Sequence, residues 1–278
     1  IITGAFRSAM AVQATVKIMI PLLICSLGVT LAFKMRFWNI GAEGQLIFGA
    51  TCASFFALYC SNWNHVVLLL VMAVAGIVGG GLWGLIPAFF KVKFNTNETL
   101  FTKIQRFDAN AALDKVAGIQ CGWIVALILV VVVFVYLKFS KSGYEIGVVG
   151  VSQDTARYAG MNVKKIILKT MFLSGAICGL GGMIQASGSD VTLTMNVAGG
   201  VGFTAIIVAW LSQLNPFVIL IVSFLFAVLE KGSSVVQSSF GLSTDCADVL
   251  QGIILFFILG CEFFVRYKFV GRSKGGDK

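Results

Sequence analysis

The sequence predicts an all-α, polytopic integral membrane protein of about eight membrane segments, and three observations carry the prediction. Of 278 residues, 58% are apolar and only 12% charged; soluble domains carry about 25% charge and about 45–50% apolar residues. Mean hydropathy is +0.93. The basic residues behind the net charge of +9 cluster at the ends of apolar runs, where a membrane protein places them, and not over one soluble face. No nucleic-acid surface is expected.

A helix needs about 20 mostly apolar residues to cross the hydrocarbon core. The candidate runs are 11–33, 46–60 (short, with a polar lead-in), 66–90, 122–138, 166–187, 201–212 (short), 216–229 and 248–265. Lys17 lies inside the first run, toward its outer end, where a lysine stem can snorkel to the interface. The whole of 1–278 reads as a single transmembrane domain, with a hydrophilic loop at 139–165 and a basic tail at 266–278.

The basic clusters orient these runs. Residues 34–36, 91–93, 138–165 and 266–278 should face the cytoplasm, and 61–65, 189–196 and 230–246 the outside. One place breaks the alternation. The run ending at Lys91 arrives inside, yet the run ending inside at Lys138 must start outside. Nothing between 91 and 121 is apolar enough to cross, so a segment is expected to be missing near Thr102–Lys103.

Seven scattered cysteines form no CxxC and mostly sit in apolar runs, where cysteine acts as a small hydrophobe. With one histidine, His65, neither a disulfide framework nor a metal site is indicated. The opening Ile1-Ile2-Thr3-Gly4 lacks the features of a signal peptide, and an N-terminal helix is expected to precede it.

Three segments carry functional information. Asn39-Ile40-Gly41-Ala42-Glu43-Gly44-Gln45 sets polar side chains and two glycines directly before a short apolar run. Val197 to Phe203 sets a glycine-rich stretch, preceded by Asn196, before another. Interrupted short segments in both halves of a chain point to a transporter's solute site, because unwound backbone at membrane depth must line water or be buried in protein. Third, within 139–165, Ser152 is a plausible N-cap, Asp154 suits a first turn and Gly160 can end a helix. A short helix over 152–160 would present Arg157 and Tyr158 to a partner. Gly76xxxGly80, Gly80xxxGly84 and Gly175xxxGly179 are expected to be helix-packing motifs. No GxxxxGK[ST] phosphate loop occurs, nor a clustered catalytic set, so no enzymatic activity is expected.

At these segments the chain resembles the permease family of bacterial ABC importers for nucleosides and simple sugars, which is related to the branched-chain amino-acid permeases. Asn39 to Gln45 resembles that family's NIGAEGQ signature, and Asn97-Glu98-Thr99 its NE-(V/T) element. Gly150 to Asn162 is similar to its GxNxxAARYAGIN motif, with Ser152 and Thr155 as variants. Ser174-Gly175-Ala176 with Gly179-Leu180-Gly181-Gly182 resembles SGAxAGLAG, and Gly202 to Ile206 resembles GFxGIAVA. The resemblance covers about residues 10–265 and departs after Thr102.

The resemblance implies a multi-pass protein of the bacterial plasma membrane, paired with a second permease subunit. A cytoplasmic ATP-binding subunit would bind the nucleotide, this chain having no cofactor of its own, and an extracytoplasmic solute-binding lipoprotein would deliver the solute. It places Asn39, Glu43, Gln45, Asn97, Glu98, Asn196 and Phe203 along the translocation path. It places Gly150, Ser152, Asp154, Ala156, Arg157, Tyr158 and Gly160 at the ATPase contact. The competing reading is an ion-coupled secondary transporter, for which Glu43 is the clear candidate ion site; a membrane enzyme is a weaker third.

Overall fold

The computed structural model describes residues 2–93, 105–116, 118–193 and 197–241, together with Val249, Gly252, Ile253, Phe256, Phe257 and Gly260. After a helical turn, α1 (Ile2–Ala5), come α2 (Ala9–Lys34), α3 (Ala42–Tyr59), α4 (His65–Lys93), α5 (Gly122–Phe139), α6 (Lys141–Val151), α7 (Gln153–Tyr158), α8 (Val163–Ile184), α9 (Val201–Leu211) and α10 (Pro216–Phe240). Four two-residue strands form two small antiparallel pairs, β1 (Gln105–Arg106) with β4 (Thr192–Leu193) and β2 (Lys115–Val116) with β3 (Ile119–Gln120). Five of the described helices are long and apolar enough to cross a membrane: α2, α4 to Ile86, α5, α8 with its extension to Asp190, and α10. The protein is an all-α polytopic membrane protein. The runs expected at 46–60 and 201–212 are α3 and α9, and most of 248–265 lies outside the described residues.

The centre of the bundle is α2, whose residues Met19 to Phe33 are all buried. A helix apolar on every side has no face to offer water and so occupies the core. Its few polar groups are satisfied locally: Ser26 Oγ donates to Leu22 O at 2.7 Å, and Thr30 Oγ1 to Ser26 O at 2.8 Å.

Beside α2, the tightest seam joins α4 to α8 and α3 through glycine. A Cβ on Gly80 would press into the Gly175 carbonyl and lie 2.6 Å from Gly179 Cα, and one on Gly49 would strike the Gly179 backbone. The three expected Gly-xxx-Gly motifs therefore belong to a single interface. In lipid, where hydrophobicity does not drive helices together, such backbone approach supplies the dispersion contact that does.

Hydrogen bonds sort the connections into two ends. At one end, Asn110 Nδ2 donates to Ser61 O at 3.1 Å, and the His65 ring meets Asn110 O at 2.9 Å and Asp114 at 3.1 Å. Leu113 N donates to Ser187 O at 3.0 Å, and β1 pairs with β4, so residues 61–65, 105–116, 118–120 and 187–193 gather there. The other end holds the basic residues of 34–36 and 138–165. Lys169 Nζ donates to Ser142 Oγ at 2.7 Å, and Gly150 packs against the carbonyl of Lys34. Gln105 thus lies at the end where α4 begins, while α4 runs 29 residues away from it, about 43 Å at 1.5 Å per residue. The segment expected to be missing, near Thr102–Lys103, lies outside the described residues.

Three boundaries differ from expectation. The third helix starts at Ala42 rather than 46, because Glu43 and Gln45 find partners that make a helical first turn affordable in the interior. Helix α10 runs on to Phe240, so 230–240 is helix and not an outward link; Gly232 and Ser233 are buried on its inner face, and Gly4 of α1 lies against Val235. The polar stretch after 139 contains α6 as well as the expected short helix, started by Ser140, whose Oγ accepts from Gly143 N at 3.0 Å.

Candidate translocation and coupling sites

The chain leaves α2 at Lys34, turns through Arg36 at a left-handed φ of 53°, and re-enters the bundle before α3. There Asn39 and Gln45, both buried, bind each other through their amides: Asn39 Nδ2 donates to Gln45 Oε1 and Gln45 Nε2 to Asn39 Oδ1, each at 3.1 Å. Asn39 Nδ2 also reaches Ser174 Oγ at 3.1 Å, and Ser174 donates to the Gly28 carbonyl at 2.7 Å. Buried amides without partners would each cost about 1–3 kcal/mol; here one network holds the re-entrant segment to α2 and α8.

Glu43 does something different. Its carboxylate takes the N-terminus of α9, accepting from Gly200 N at 2.9 Å and Gly202 N at 2.6 Å. The local sequence permits this at two points. Gly200 turns the chain at φ 80°, a left-handed conformation that glycine adopts without penalty, and Gly202 lacks the Cβ that would collide with the Glu43 backbone. A carboxylate at a helix N-terminus satisfies orphan N–H groups and complements the helix dipole. Both interrupted segments of the sequence, 157 residues apart between Glu43 and Gly200, therefore meet at one carboxylate.

Around this clamp the surface is open. Ile40, Gly41, Gly199 and Phe203 are exposed, and Trp38 stacks on Trp210 with ring centroids 5.4 Å apart. Those two rings, with Phe33, Arg36, Phe37 and Leu214, border a cavity of about 230 Å³. The sequence reading missed this aromatic group and the role of Ser174. Trp38 adjoins the first interrupted segment, but Trp210 lies seven residues beyond Phe203, near the far end of α9, so spacing gave no signal for the pair. Asn97, Glu98 and Asn196 lie outside the described residues.

The second group forms at the basic end. Ser152 caps α7, its Oγ accepting from Thr155 N at 3.2 Å, and Gly160 at φ 76° closes it, with Met161 N donating to Ala156 O at 2.9 Å. Of the residues named for the ATPase contact, Ala156 and Gly150 face inward. Asp154 and Arg157 pair with each other at 3.0 Å on the surface, a contact worth little in stability. Tyr158 is 93% exposed. The helix spans Gln153–Tyr158, slightly shorter than 152–160. Gly150 against Lys34 and Met35 ties this unit to the end of α2, one short segment away from Asn39.

Residues 11–105 and 101–259 match the family described as the permease component of branched-chain amino acid transport systems. The chain is 30% identical to a glucose ABC transporter permease protein of Haloferax volcanii, over 90% of this chain and 76% of that one. It is 28% identical to a guanosine ABC transporter permease protein of Bacillus subtilis (98% and 87% covered) and 26% identical to a nucleoside ABC transporter permease protein of Lactococcus lactis (92% and 80%). No solved structure matches. With the family matched over most of its length and several apolar helices in its fold, the chain belongs to the permease family of ABC transporters and is a multi-pass protein of the plasma membrane.

Proposed function

We propose that the chain is the membrane subunit of an ABC importer for nucleosides or a simple sugar, with the solute passing the surface around Glu43. The observation that carries this is the meeting of two interrupted segments at that carboxylate, with exposed main chain at Gly41 and Gly199 beside it. Irregular backbone at membrane depth cannot face lipid, so this surface faces water or another subunit. The path then includes Phe203 and the wall held by Asn39 and Gln45, with Asn97, Glu98 and Asn196 assigned to it by resemblance. The nucleoside and glucose permeases among the relatives support the solute class.

The basic end faces the cytoplasm in this reading. A separate ATP-binding subunit docks on α7 at Tyr158 and Arg157, a second permease subunit covers part of the open face, and an external binding protein supplies solute. Movement of α7 reaches Glu43 through Gly150, the end of α2 and the Asn39 segment. The test is uptake of labelled guanosine and glucose by cells carrying the whole transporter. Uptake lost with ATP but insensitive to ionophores supports the reading; uptake abolished by ionophores at constant ATP overturns it in favour of ion-coupled secondary transport.

The same reading includes a missing membrane crossing near Thr102–Lys103. Three observations support it. Gln105 lies at the end from which α4 departs. The family match falls into two pieces that meet at 101–105. The alignment to the glucose permease extends over 289 positions while covering 90% of these 278 residues, about 250, so about 39 positions of the relative have no counterpart. Peptide mapping by mass spectrometry of the protein from its native membrane should find an additional apolar segment between Thr102 and Lys103; an internal peptide joining Thr102 directly to Lys103 rules the missing crossing out.

A further inference from the structure

The clamp at α9 has a bearing on which solutes can pass. A helix that starts inside a membrane protein presents bare N–H groups and the positive end of its dipole, and transporters commonly aim such half-helix termini at anionic solutes. The N-terminus of α9 is of this kind. It starts beside the first turn of α3, and that turn is bonded through Asn39 to Ser174. Ser174 lies 11 residues into α8, which is about 16 Å along the helix. The start of α9 therefore lies well within the bundle.

Both donors at this terminus are already taken. Glu43 Oε1 accepts from Gly200 N and Oε2 from Gly202 N, so each carboxylate oxygen fills one place that a solute anion would use. Gly202 carries no side chain that would keep the carboxylate away, and the exposed Gly199 and Phe203 open the same spot to the surface. Resting on the translocation reading above, we propose that Glu43 is the resident anion of the α9 N-terminus and a specificity-determining residue: by holding this place it sets the path against negatively charged solutes and in favour of uncharged ones. A carboxylate or phosphate arriving here finds the donors occupied and a like charge beside them, whereas an uncharged polyol or base meets neither obstacle.

Two measurements on Glu43→Ala and Glu43→Gln test this. In the purified chain, Glu43→Ala empties the terminus, so formate should raise its melting temperature with millimolar half-saturation. Formamide should not, and neither compound should move the unsubstituted chain. A Glu43→Ala melting temperature indifferent to formate overturns the resident-anion assignment. In cells carrying the whole transporter, the ratio of uridine to uridine 5′-monophosphate uptake should fall at least tenfold in either variant, and an unchanged ratio overturns the specificity assignment. Should Glu43→Ala fail to fold, Glu43→Gln, which keeps the shape and loses the charge, decides by its uptake ratio alone. If the unsubstituted transporter takes up no uridine, the nucleoside reading is what fails, and the formate experiment still decides the role of Glu43.

Discussion

Asn39 and Gln45 form a reciprocal amide pair, each donating to the other's carbonyl oxygen at 3.1 Å in the interior of the bundle. Removing Asn39 strands the Gln45 amide, and removing Gln45 strands Asn39 Oδ1 while Asn39 Nδ2 keeps Ser174 Oγ. Asn39→Ala and Gln45→Ala should each lower stability by about 1–3 kcal/mol, and the double variant should cost little more than the worse single one. Thermal unfolding in mixed detergent and lipid measures the four members of this cycle. Strict additivity would mean that the two amides are satisfied independently.

The glycine seam predicts a contrast between two small substitutions. Gly80→Ala puts a methyl group into the Gly175 carbonyl and 2.6 Å from Gly179 Cα, so α4 and α8 must part at a cost of about 1–3 kcal/mol. Gly147→Ala, in the exposed face of α6 with nothing within 4 Å, should instead stabilise by about 0.5–1 kcal/mol through helix propensity. Equal melting temperatures for the two variants would contradict the close approach of the helices.

Sidedness is testable with single cysteines in a cysteine-free background. Asn110 and His65 sit together at one end, and Lys141 at the other. Asn110→Cys should be labelled by an impermeant thiol reagent added to intact cells, and Lys141→Cys only after permeabilisation. Labelling of position 141 from outside would invert the orientation argued from the basic residues.

Coupling separates into docking and transmission. Tyr158 is 93% exposed, so Tyr158→Ala should change stability by less than about 0.5 kcal/mol while lowering copurification of the ATP-binding subunit. Gly150 lies against the Lys34 carbonyl. Gly150→Leu should leave the ATPase bound but uncouple its hydrolysis from uptake, because α6 can no longer seat on α2. Normal coupling in the Gly150 variant would place the transmission elsewhere.

The membrane class, most helix positions and the short capped helix at the basic end were legible in the sequence. Each depends on local physics: apolar runs partition into lipid whatever their neighbours, basic flanks mark an end, and Ser152 and Gly160 act on backbone within a few residues of themselves. The polar character of Asn39 to Gln45 and the glycines before α9 were visible too, as departures from the apolar pattern. What each polar group does was not visible. Glu43 needed either a helix N-terminus or water in a cavity, since an unpaired carboxylate in lipid is too costly, but which of the two, and which helix, was open. Only the packing of α3 beside α9 brings its carboxylate to Gly200 and Gly202, 157 and 159 residues along the chain. The same holds for Asn39 with Ser174, 135 residues away, and for Trp38 on Trp210. A hydrogen bond requires its partner within about 3.2 Å in the right direction, and the glycine seam between α3, α4 and α8 fixes those distances through contacts that no single segment contains.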